Sequence, residues 1–279
     1  MSKNIILKFF MTALLSTLVM LFIFIILNKR FDGSIWLTMQ QSKSALMVEY
    51  CELDQTTHFF RQTMNTYSNL MYFFLGMLVL LIGLYDRKNS ATTNQNPIQQ
   101  FPAISILFGC CLIYLCFGSA FFHASLSWIG QRVDMNGTYS ICIVLIGISG
   151  YRYFIRNSLT KAKKNLFILL LIATILFFIE LHLVISSAVL LPILILWITL
   201  FTIINYTKNK NSFQLQLAVL GLVLMLAAFI LRTLDIKKIA CHPTSIYQGH
   251  ALWHFFTGMS AFMLYWFYRS EDINGKEAK

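Results

Sequence analysis

Residues 118–134 have the sequence GSAFFHASLSWIGQRVD, and they close a long apolar run. Ser119 and His123 are four residues apart, so they lie on the same face of a helix. Asp134 follows after a short polar segment that is predicted to be a turn. The stretch therefore places a hydroxyl, an imidazole and a carboxylate near the end of one membrane-length helix.

A second stretch with similar chemistry lies near the C-terminus. Residues 248–254, QGHALWH, place His250 and His254 four residues apart on a predicted helix. Three imidazoles at the ends of membrane-length helices are typical of a metal site. We therefore expect the rest of the chain to form the scaffold that brings the two stretches together.

The composition excludes a water-soluble domain. Apolar residues make up 57% of the 279-residue chain and charged residues only 12%, and the mean hydropathy is +0.67. A water-soluble domain has more charge and less apolar surface, so we predict a polytopic membrane protein. The net charge of +11 does not indicate a nucleic-acid partner, because the Lys and Arg residues lie in loops, where they face anionic lipid and the cytoplasm.

Several apolar segments are close to the roughly 20 residues that a helix needs to cross a bilayer. They are residues 5–27, 66–85, 102–122, 137–155, 166–181, 184–206, 213–232 and 249–268. The run over 166–206 is too long for one helix and is interrupted by Glu180 and His182. We therefore expect a tight hairpin of two spans there.

The predicted fold is all-α, a polytopic transmembrane helix bundle of seven core helices plus one extra N-terminal helix. We divide it into four parts, namely the extra helix (1–30), a non-cytoplasmic loop with an acidic cluster (31–64), the core (65–270) and a cytoplasmic tail (271–279). The segment 5–27 also has the apolar length of a signal peptide. No small-residue cleavage site follows it before Lys29 and Arg30, so we favour an uncleaved helix.

An even number of spans places both termini on one side of the membrane. That side collects 14 of the 22 Lys and Arg residues, so we predict cytoplasmic termini.

All six histidines then fall on the non-cytoplasmic side. The same side holds the acidic candidates Glu49, Glu52, Asp54 and Asp134. Cys51 and Cys241 also fall there, and an oxidising compartment permits a disulfide between them. A bacterial inner membrane and an ER or Golgi membrane both fit this topology.

The histidines have two interpretations. Each one alone is typical of a buried, hydrogen-bonded side chain or an interfacial one. Together they favour a metal site, because ionisable groups inside a span are costly and are therefore functional candidates. His250 and His254 can bind one ion from a single helix face, and His123 must come from another helix. Three neutral imidazoles suit zinc and leave a position open for water, so the expected chemistry is hydrolysis of an amide or an ester.

Asp134 and Ser119, the two candidate catalytic residues, each have more than one possible role. Asp134 fits a general base, a hydrogen-bonding partner of a ligand histidine, or the N-cap of the helix expected to begin near residue 137. Ser119 fits a donor to a developing oxyanion, or a small residue that lets helices approach closely.

Three blocks of sequence resemble the alkaline ceramidase family, within the wider group of seven-helix membrane hydrolases that includes the adiponectin receptors. The blocks are Cys51-Glu52 with RQTMNTYSNL at 61–70, then residues 118–134, and last CHPTS at 241–245, QGHALWH at 248–254 and YRSE at 268–271. They span residues 49–271 in the family's order and spacing. The second and third blocks are specific, because Ser-x-x-x-His, the gap to Asp and His-x-x-x-His match together.

The resemblance implies seven core helices that enclose a zinc ion in a cavity open to lipid. It implies that His123, His250 and His254 are the zinc ligands. Ser119 would assist the oxyanion, and Asp134 would handle the proton of the attacking water. The implied substrate is a ceramide or a related N-acyl lipid, cut to a sphingoid base and a fatty acid, and the other implied partner is the bilayer.

The resemblance also implies a second metal. The family's animal enzymes bind calcium through acidic and amide side chains just before the first core helix, and oxygen ligands suit calcium. Glu49, Glu52 and Asp54 fall at similar places. Gln62 stands where a further acid is expected, and an ordinary acidic loop that faces water is the alternative.

Two further features complete the comparison with that family. The resemblance implies that Cys51 pairs with Cys241, which agrees with the topology. The helix at 5–27 departs from the family pattern, and we expect it to anchor against the bundle.

Two rival functions remain to be separated from the amidase. A zinc enzyme that cleaves ester lipids, as in phospholipase-like members of the wider group, keeps the metal site and changes the substrate. A receptor or transporter fits the number of helices by shape alone, but it predicts charged or broken helices through the middle of several spans. The spans at 66–85, 137–155 and 213–232 are almost free of ionisable groups until their ends, which favours the hydrolase.

Overall fold

The structure is a computed structural model, and it describes residues 1–89, 96–154 and 159–272. These residues are mostly helical and contain no β-strand, which confirms the predicted all-α class. The helices of the described residues are α1 (Lys3–Arg30), α2 (Lys43–Leu46), α3 (Thr63–Ser68), α4 (Leu70–Lys88), α5 (Pro102–Ser125), α6 (Trp128–Phe154), α7 (Lys161–Val184), α8 (Ser187–Lys208), α9 (Leu215–Ile236) and α10 (Gly249–Arg269). Residues 273–279 of the predicted tail lie outside the described part of the chain.

Most of the long helices have the length and composition of membrane spans. Seven spans meet both criteria in the described part of the chain, with α3 and α4 counted together as one span. These helices indicate an integral, multi-pass membrane protein. The helix α10 has 21 residues but begins with His250 and His254 in place of aliphatic side chains, and it corresponds to the last predicted span.

The start of α6 differs from the prediction. The helix begins at Trp128, well before the apolar run, because the Gly130 N–H donates to Ser127 Oγ over 3.1 Å and so caps the helix. Leu126, in the preceding turn, has a φ of 50°. Asp134 therefore lies in the second turn of α6, and its interpretation as an N-cap is wrong.

The long apolar run in the middle of the chain forms two helices, as predicted, but the break comes later than Glu180 and His182. Ile185 leaves helical geometry, with φ −109° and ψ 130°. The Ala188 N–H then donates to Ser186 Oγ over 3.2 Å, which caps α8. A capping serine thus marks the break more accurately than the charged residues do.

The chain divides into two compact units. One consists of Met1–Leu78, Leu112–Gly137 and Val223–Met259, and the other of Val79–Cys111, Thr138–Leu222 and Ser260–Lys279. All the candidate site residues belong to the first unit.

The N-terminal helix packs into the first unit through aromatic contacts. The Phe24 ring of α1 lies 5.5 Å from the Phe60 ring and 6.4 Å from the Tyr67 ring, centroid to centroid. Phe24 and Phe60 share a buried apolar cluster with Ala120 and Ala124 of α5. This contact fixes α1 beside the helix that carries His123.

Buried ion pairs hold the second unit together. Arg269 donates to both carboxylate oxygens of Asp86, over 2.8 and 2.9 Å. Arg152 pairs in the same two-pronged way with Glu271. All four side chains are buried, so removing one partner would leave an uncompensated buried charge. Such a change lowers the stability of the fold by about 3–5 kcal/mol.

Candidate metal centre and active site

Three histidines from two helices meet in the first unit. His123 lies in the last turn of α5, and His250 and His254 lie in the first two turns of α10. One ligand nitrogen from each ring lies within 4.8 Å of the other two. All three side chains are buried, with exposed fractions of 0%, 4% and 3%. The geometry therefore joins residues that are more than a hundred positions apart in the chain.

The donor set fits a metal cation. The Nε2 atoms of His123 and His250 are 3.1 Å apart, and two nitrogens bound tetrahedrally to zinc at about 2.1 Å would be separated by about 3.4 Å. His250 Nδ1 is buried and has no hydrogen-bond partner in the described part of the chain. Three imidazoles without a carboxylate suit zinc and other late transition metals better than calcium or magnesium.

The outward nitrogens of two rings are held by polar side chains of the segment that leads into α4. His123 Nδ1 lies 2.8 Å from Gln62 Oε1. His254 Nδ1 lies 2.7 Å from Ser68 Oγ. Gln62 and Ser68 were not predicted from the sequence to belong to the metal centre. The feature that could have indicated them is the run of polar side chains just before an apolar span, within the 61–70 block that resembles the alkaline ceramidase family.

A buried carboxylate fixes the backbone behind the centre. Asp235, near the end of α9, accepts hydrogen bonds from the N–H of Cys51 over 3.0 Å and from the N–H of His250 over 3.2 Å. Cys51 is joined to Cys241 by a disulfide bond. The loop before α3, the end of α9 and the start of α10 are therefore tied together. Sequence reasoning missed Asp235 because a lone acid at the end of an apolar helix is typical of an interface.

The two candidate catalytic side chains lie in the same unit as the histidines. Ser119 is one turn before His123 on α5, and its Oγ is buried. The Asp134 carboxyl group on α6 interacts with Ser119 and with the Arg232 guanidinium. A buried hydroxyl and a carboxylate beside it are suited to stabilising an oxyanion and to moving a proton.

An aromatic ring covers one side of the centre. The Tyr50 ring centroid lies 4.0 Å from that of His250 and 5.4 Å from that of His123. Burial raises the pKa of the Tyr50 phenol, so the ring remains neutral. Its packing against Phe122 and Leu126 excludes water from this side of the histidines.

The predicted calcium site is not supported. Among Glu49, Glu52 and Asp54, each carboxylate has a separate partner. Glu49 pairs with Arg232 at 3.1 Å, and Asp54 pairs with Arg61 through both carboxylate oxygens. The three acids form no ligand group among the described residues, where the histidine cluster alone meets that description. The guanidinium groups of Arg232 and Arg61 already neutralise two of the negative charges that a calcium site would require.

The third acid caps a helix instead of binding a cation. Glu52 accepts hydrogen bonds from the N–H groups of Met64 over 2.6 Å and Asn65 over 2.8 Å, in the first turn of α3. Burial raises the pKa of Glu52 to about 7, although these two hydrogen bonds act to lower it. The carboxylate satisfies N–H groups that every helix start leaves without a partner.

Comparison with known protein families gives a match over most of the chain. A family model described as Ceramidase matches residues 41–278. The matched region begins in the loop after α1 and includes every residue of the candidate metal centre. No match is found among curated proteins.

Proposed function

The chain belongs to the ceramidase family, and from this premise we propose that it is a membrane-embedded, zinc-dependent amidase that cleaves ceramide to a sphingoid base and a fatty acid. The observation that carries the proposal is the meeting of His123, His250 and His254 within coordination range of one cation. Family membership supports the hydrolysis of a ceramide-type amide. The metal and its identity are inferred from the donor set.

His123, His250 and His254 would hold the zinc ion. When bound, zinc would polarise the amide carbonyl and lower the pKa of a water molecule to about 7. With three protein ligands, the centre keeps a position open for this chemistry.

The remaining steps are assigned to side chains near the histidines. Asp134 accepts a proton from the attacking water as the C–O bond forms, and it then delivers a proton to the amide nitrogen as the C–N bond breaks. The buried Ser119 hydroxyl donates a hydrogen bond to the carbonyl oxygen as negative charge develops. The products are a fatty acid and an amine, so atoms and charge balance.

We further propose the orientation of the chain. Both termini are cytoplasmic and the metal centre faces the non-cytoplasmic side, in either a bacterial inner membrane or an ER or Golgi membrane. The excess of Lys and Arg on the side of the termini supports this orientation. The disulfide between Cys51 and Cys241 agrees with it, since disulfides persist in oxidising compartments. The division into an extra helix (1–30), a loop (31–64), a core (65–270) and a tail (271–279) is part of the same proposal.

The test is hydrolysis by purified protein in detergent micelles. We expect release of sphingoid base from ceramide, loss of release with a zinc chelator, and recovery when zinc is added back. Phospholipid serves as the competing substrate, because an ester-cleaving enzyme with the same centre would release fatty acid from it. No release from ceramide by zinc-loaded protein, or full release by a His250→Ala variant, would overturn the proposal.

A further inference from the structure

We infer that Gln62 and Ser68 are positioning residues that fix the tautomers of His123 and His254, so that both rings present an Nε2 lone pair to the cation. The inference rests on the proposed function, because it concerns the metal that the histidines would hold. It adds a role for the segment at 62–68, which leads into α4 and holds no metal ligand.

A backbone carbonyl group fixes the orientation of the Gln62 side chain. The Gln62 side-chain NH₂ is 3.5 Å from the backbone carbonyl oxygen of Glu52, and a carbonyl oxygen can only accept. The amide is therefore oriented with its nitrogen towards Glu52. The opposite atom, Oε1, faces His123 Nδ1 at 2.8 Å and accepts a further hydrogen bond from the Asn65 side chain at 3.4 Å.

The orientation of Gln62 decides the state of the His123 ring. Because Oε1 is an acceptor, His123 Nδ1 must carry the hydrogen. In a neutral imidazole the other nitrogen then has the free lone pair. That nitrogen is Nε2, the atom that lies 3.1 Å from His250 Nε2. Gln62 therefore directs the lone pair of His123 into the cluster.

Ser68 acts on His254 in the same way. The single hydrogen of the Ser68 hydroxyl is donated to the Asn65 carbonyl oxygen over 2.9 Å. Ser68 Oγ can then only accept from His254 Nδ1, which lies 2.7 Å away. His254 Nδ1 carries the hydrogen, which leaves Nε2 with the free lone pair. Gln62 and Ser68, only six positions apart, thus fix the tautomers of two ligands that lie on different helices.

The third histidine provides an internal contrast. Among the residues that the structure describes, none forms a hydrogen bond with His250 Nδ1, so none of them selects its tautomer. The two positioning residues also share a scaffold, because Glu52 holds the N–H groups of Met64 and Asn65 between them. Partners of this kind typically contribute roughly 10–100-fold to metal affinity.

The experiment measures the zinc dissociation constant of metal-free protein by competition with a chromophoric chelator. Gln62→Met keeps the side-chain size and removes the acceptor, and Ser68→Ala removes the hydroxyl. We expect each to weaken zinc binding roughly 10–100-fold. Gln62→Glu and Ser68→Thr keep the acceptor, and we expect each to recover most of the affinity. Thr63→Ala is the control, since its hydroxyl bonds only to the Phe60 carbonyl.

A second readout separates tautomer from general damage to α3. In ¹⁵N NMR spectra of histidine-labelled, metal-free protein, ring nitrogens with and without hydrogen resonate apart. We expect wild type to show His123 and His254 protonated on Nδ1. The Gln62→Met variant should show a mixture for His123 alone, with the melting temperature of the metal-free protein close to that of Thr63→Ala.

The outcomes distinguish this inference from the proposed function. Zinc affinity within threefold of wild type for Gln62→Met or Ser68→Ala overturns the assignment for that residue. Gln62→Glu binding as weakly as Gln62→Met would also overturn it for Gln62. If His123→Ala and His254→Ala themselves leave zinc binding unchanged, the metal centre of the proposed function is wrong. If they abolish binding, that centre stands whatever the positioning variants do.

Discussion

At the scale of single residues, the centre separates groups that hold a cation from groups that move a proton. The three histidines turn nitrogen atoms towards one another. The Asp134 carboxyl group, on a different helix, interacts instead with Ser119 and Arg232. Substitutions at these two kinds of residue should therefore have different signatures.

Replacing the carboxylate should remove catalysis and spare the metal. Asp134→Asn keeps the size of the side chain but cannot accept a proton, so we expect kcat for ceramide to fall on the order of 10²–10⁴-fold. Zinc content should stay at the wild-type level. The control is Glu180→Gln, an exposed carboxyl group on α7, which should keep full activity. An Asp134→Asn enzyme with more than half of wild-type kcat would exclude the assigned role.

The buried carboxyl group of Glu52 predicts how stability depends on pH. Burial raises its pKa from 4.5 to about 7 in the folded protein, so the folded state holds the proton more tightly than the unfolded state. The free energy of unfolding therefore falls as pH rises between about 4.5 and 7, by up to about 3 kcal/mol, and this contribution changes no further above that window.

The measurement compares melting temperatures of wild type and Glu52→Gln in detergent from pH 5 to pH 8. The variant lacks the titrating group, so wild type should lose stability relative to it as pH rises. A difference that is constant across this range, or that grows in favour of wild type, would contradict the expectation.

The residues that bind were easier to predict than the residues that orient them. The four-residue spacings of Ser119 with His123 and of His250 with His254 are visible in the sequence, because helical periodicity alone places each pair on one face. Gln62 was considered only because it replaces an acid that the predicted calcium site would need. Its contact with His123 joins positions 61 apart and depends on side-chain orientation, which no periodicity encodes.

At the scale of helices, the junction between α9 and α10 sets the position of two ligands. A Cβ atom on Gly249 would lie 2.9 Å from the Asp235 Cβ and 2.9 Å from the Leu231 carbonyl oxygen. Only glycine lets the start of α10 approach α9 this closely. His250 follows directly, with its N–H bonded to Asp235, so the approach of the two helices places its ring.

Adding one methyl group at this junction should displace α10. For Gly249→Ala we expect a loss of roughly 1–3 kcal/mol in stability and weaker zinc binding. The matched control is Gly150→Ala in α6, where no atom of the described residues lies within 4 Å of the added Cβ, apart from its chain neighbours and the backbone of its own helix. Melting temperatures and zinc dissociation constants of the two variants give the answer. Equal values for both would show that the close approach is not required.

Hydropathy predicted that the helices exist but not where all of them begin. An apolar run marks the part of a helix that faces lipid. The first turns of α6 carry Arg132, Asp134 and Asn136, yet they are helical because helical hydrogen bonding does not require apolar side chains. The capping contact of Ser127 with Gly130 marks the true start, and Ser-x-x-Gly is too common a pattern to reveal it in advance.

At the scale of the whole molecule, the orientation in the membrane decides which compartment the metal centre faces. The disulfide links positions 190 apart, and closing so long a loop restricts the unfolded chain. Such a bond persists only on an oxidising side. The predicted topology places every histidine there.

Site-specific labelling tests this orientation. Met47, in the loop before α3, is 80% exposed, and Lys161 at the start of α7 is also exposed. In intact bacterial cells, a membrane-impermeant maleimide should label Met47→Cys, and it should label Lys161→Cys only after the inner membrane is permeabilised. In sealed ER or Golgi vesicles, whose outer face is cytoplasmic, it should label Lys161→Cys directly and Met47→Cys only after permeabilisation. The parent protein gives the background from its free cysteines, and the reverse labelling pattern would show that the termini are not cytoplasmic.

The central claim is that three histidines hold one catalytic zinc ion, and the metal content of the purified protein tests it most directly. Elemental analysis should find close to one zinc per wild-type chain, and a strongly reduced amount in His123→Ala, His250→Ala and His254→Ala variants that still elute as folded protein. A folded wild-type protein that takes up no zinc, or variants that retain as much zinc as wild type, would contradict the account.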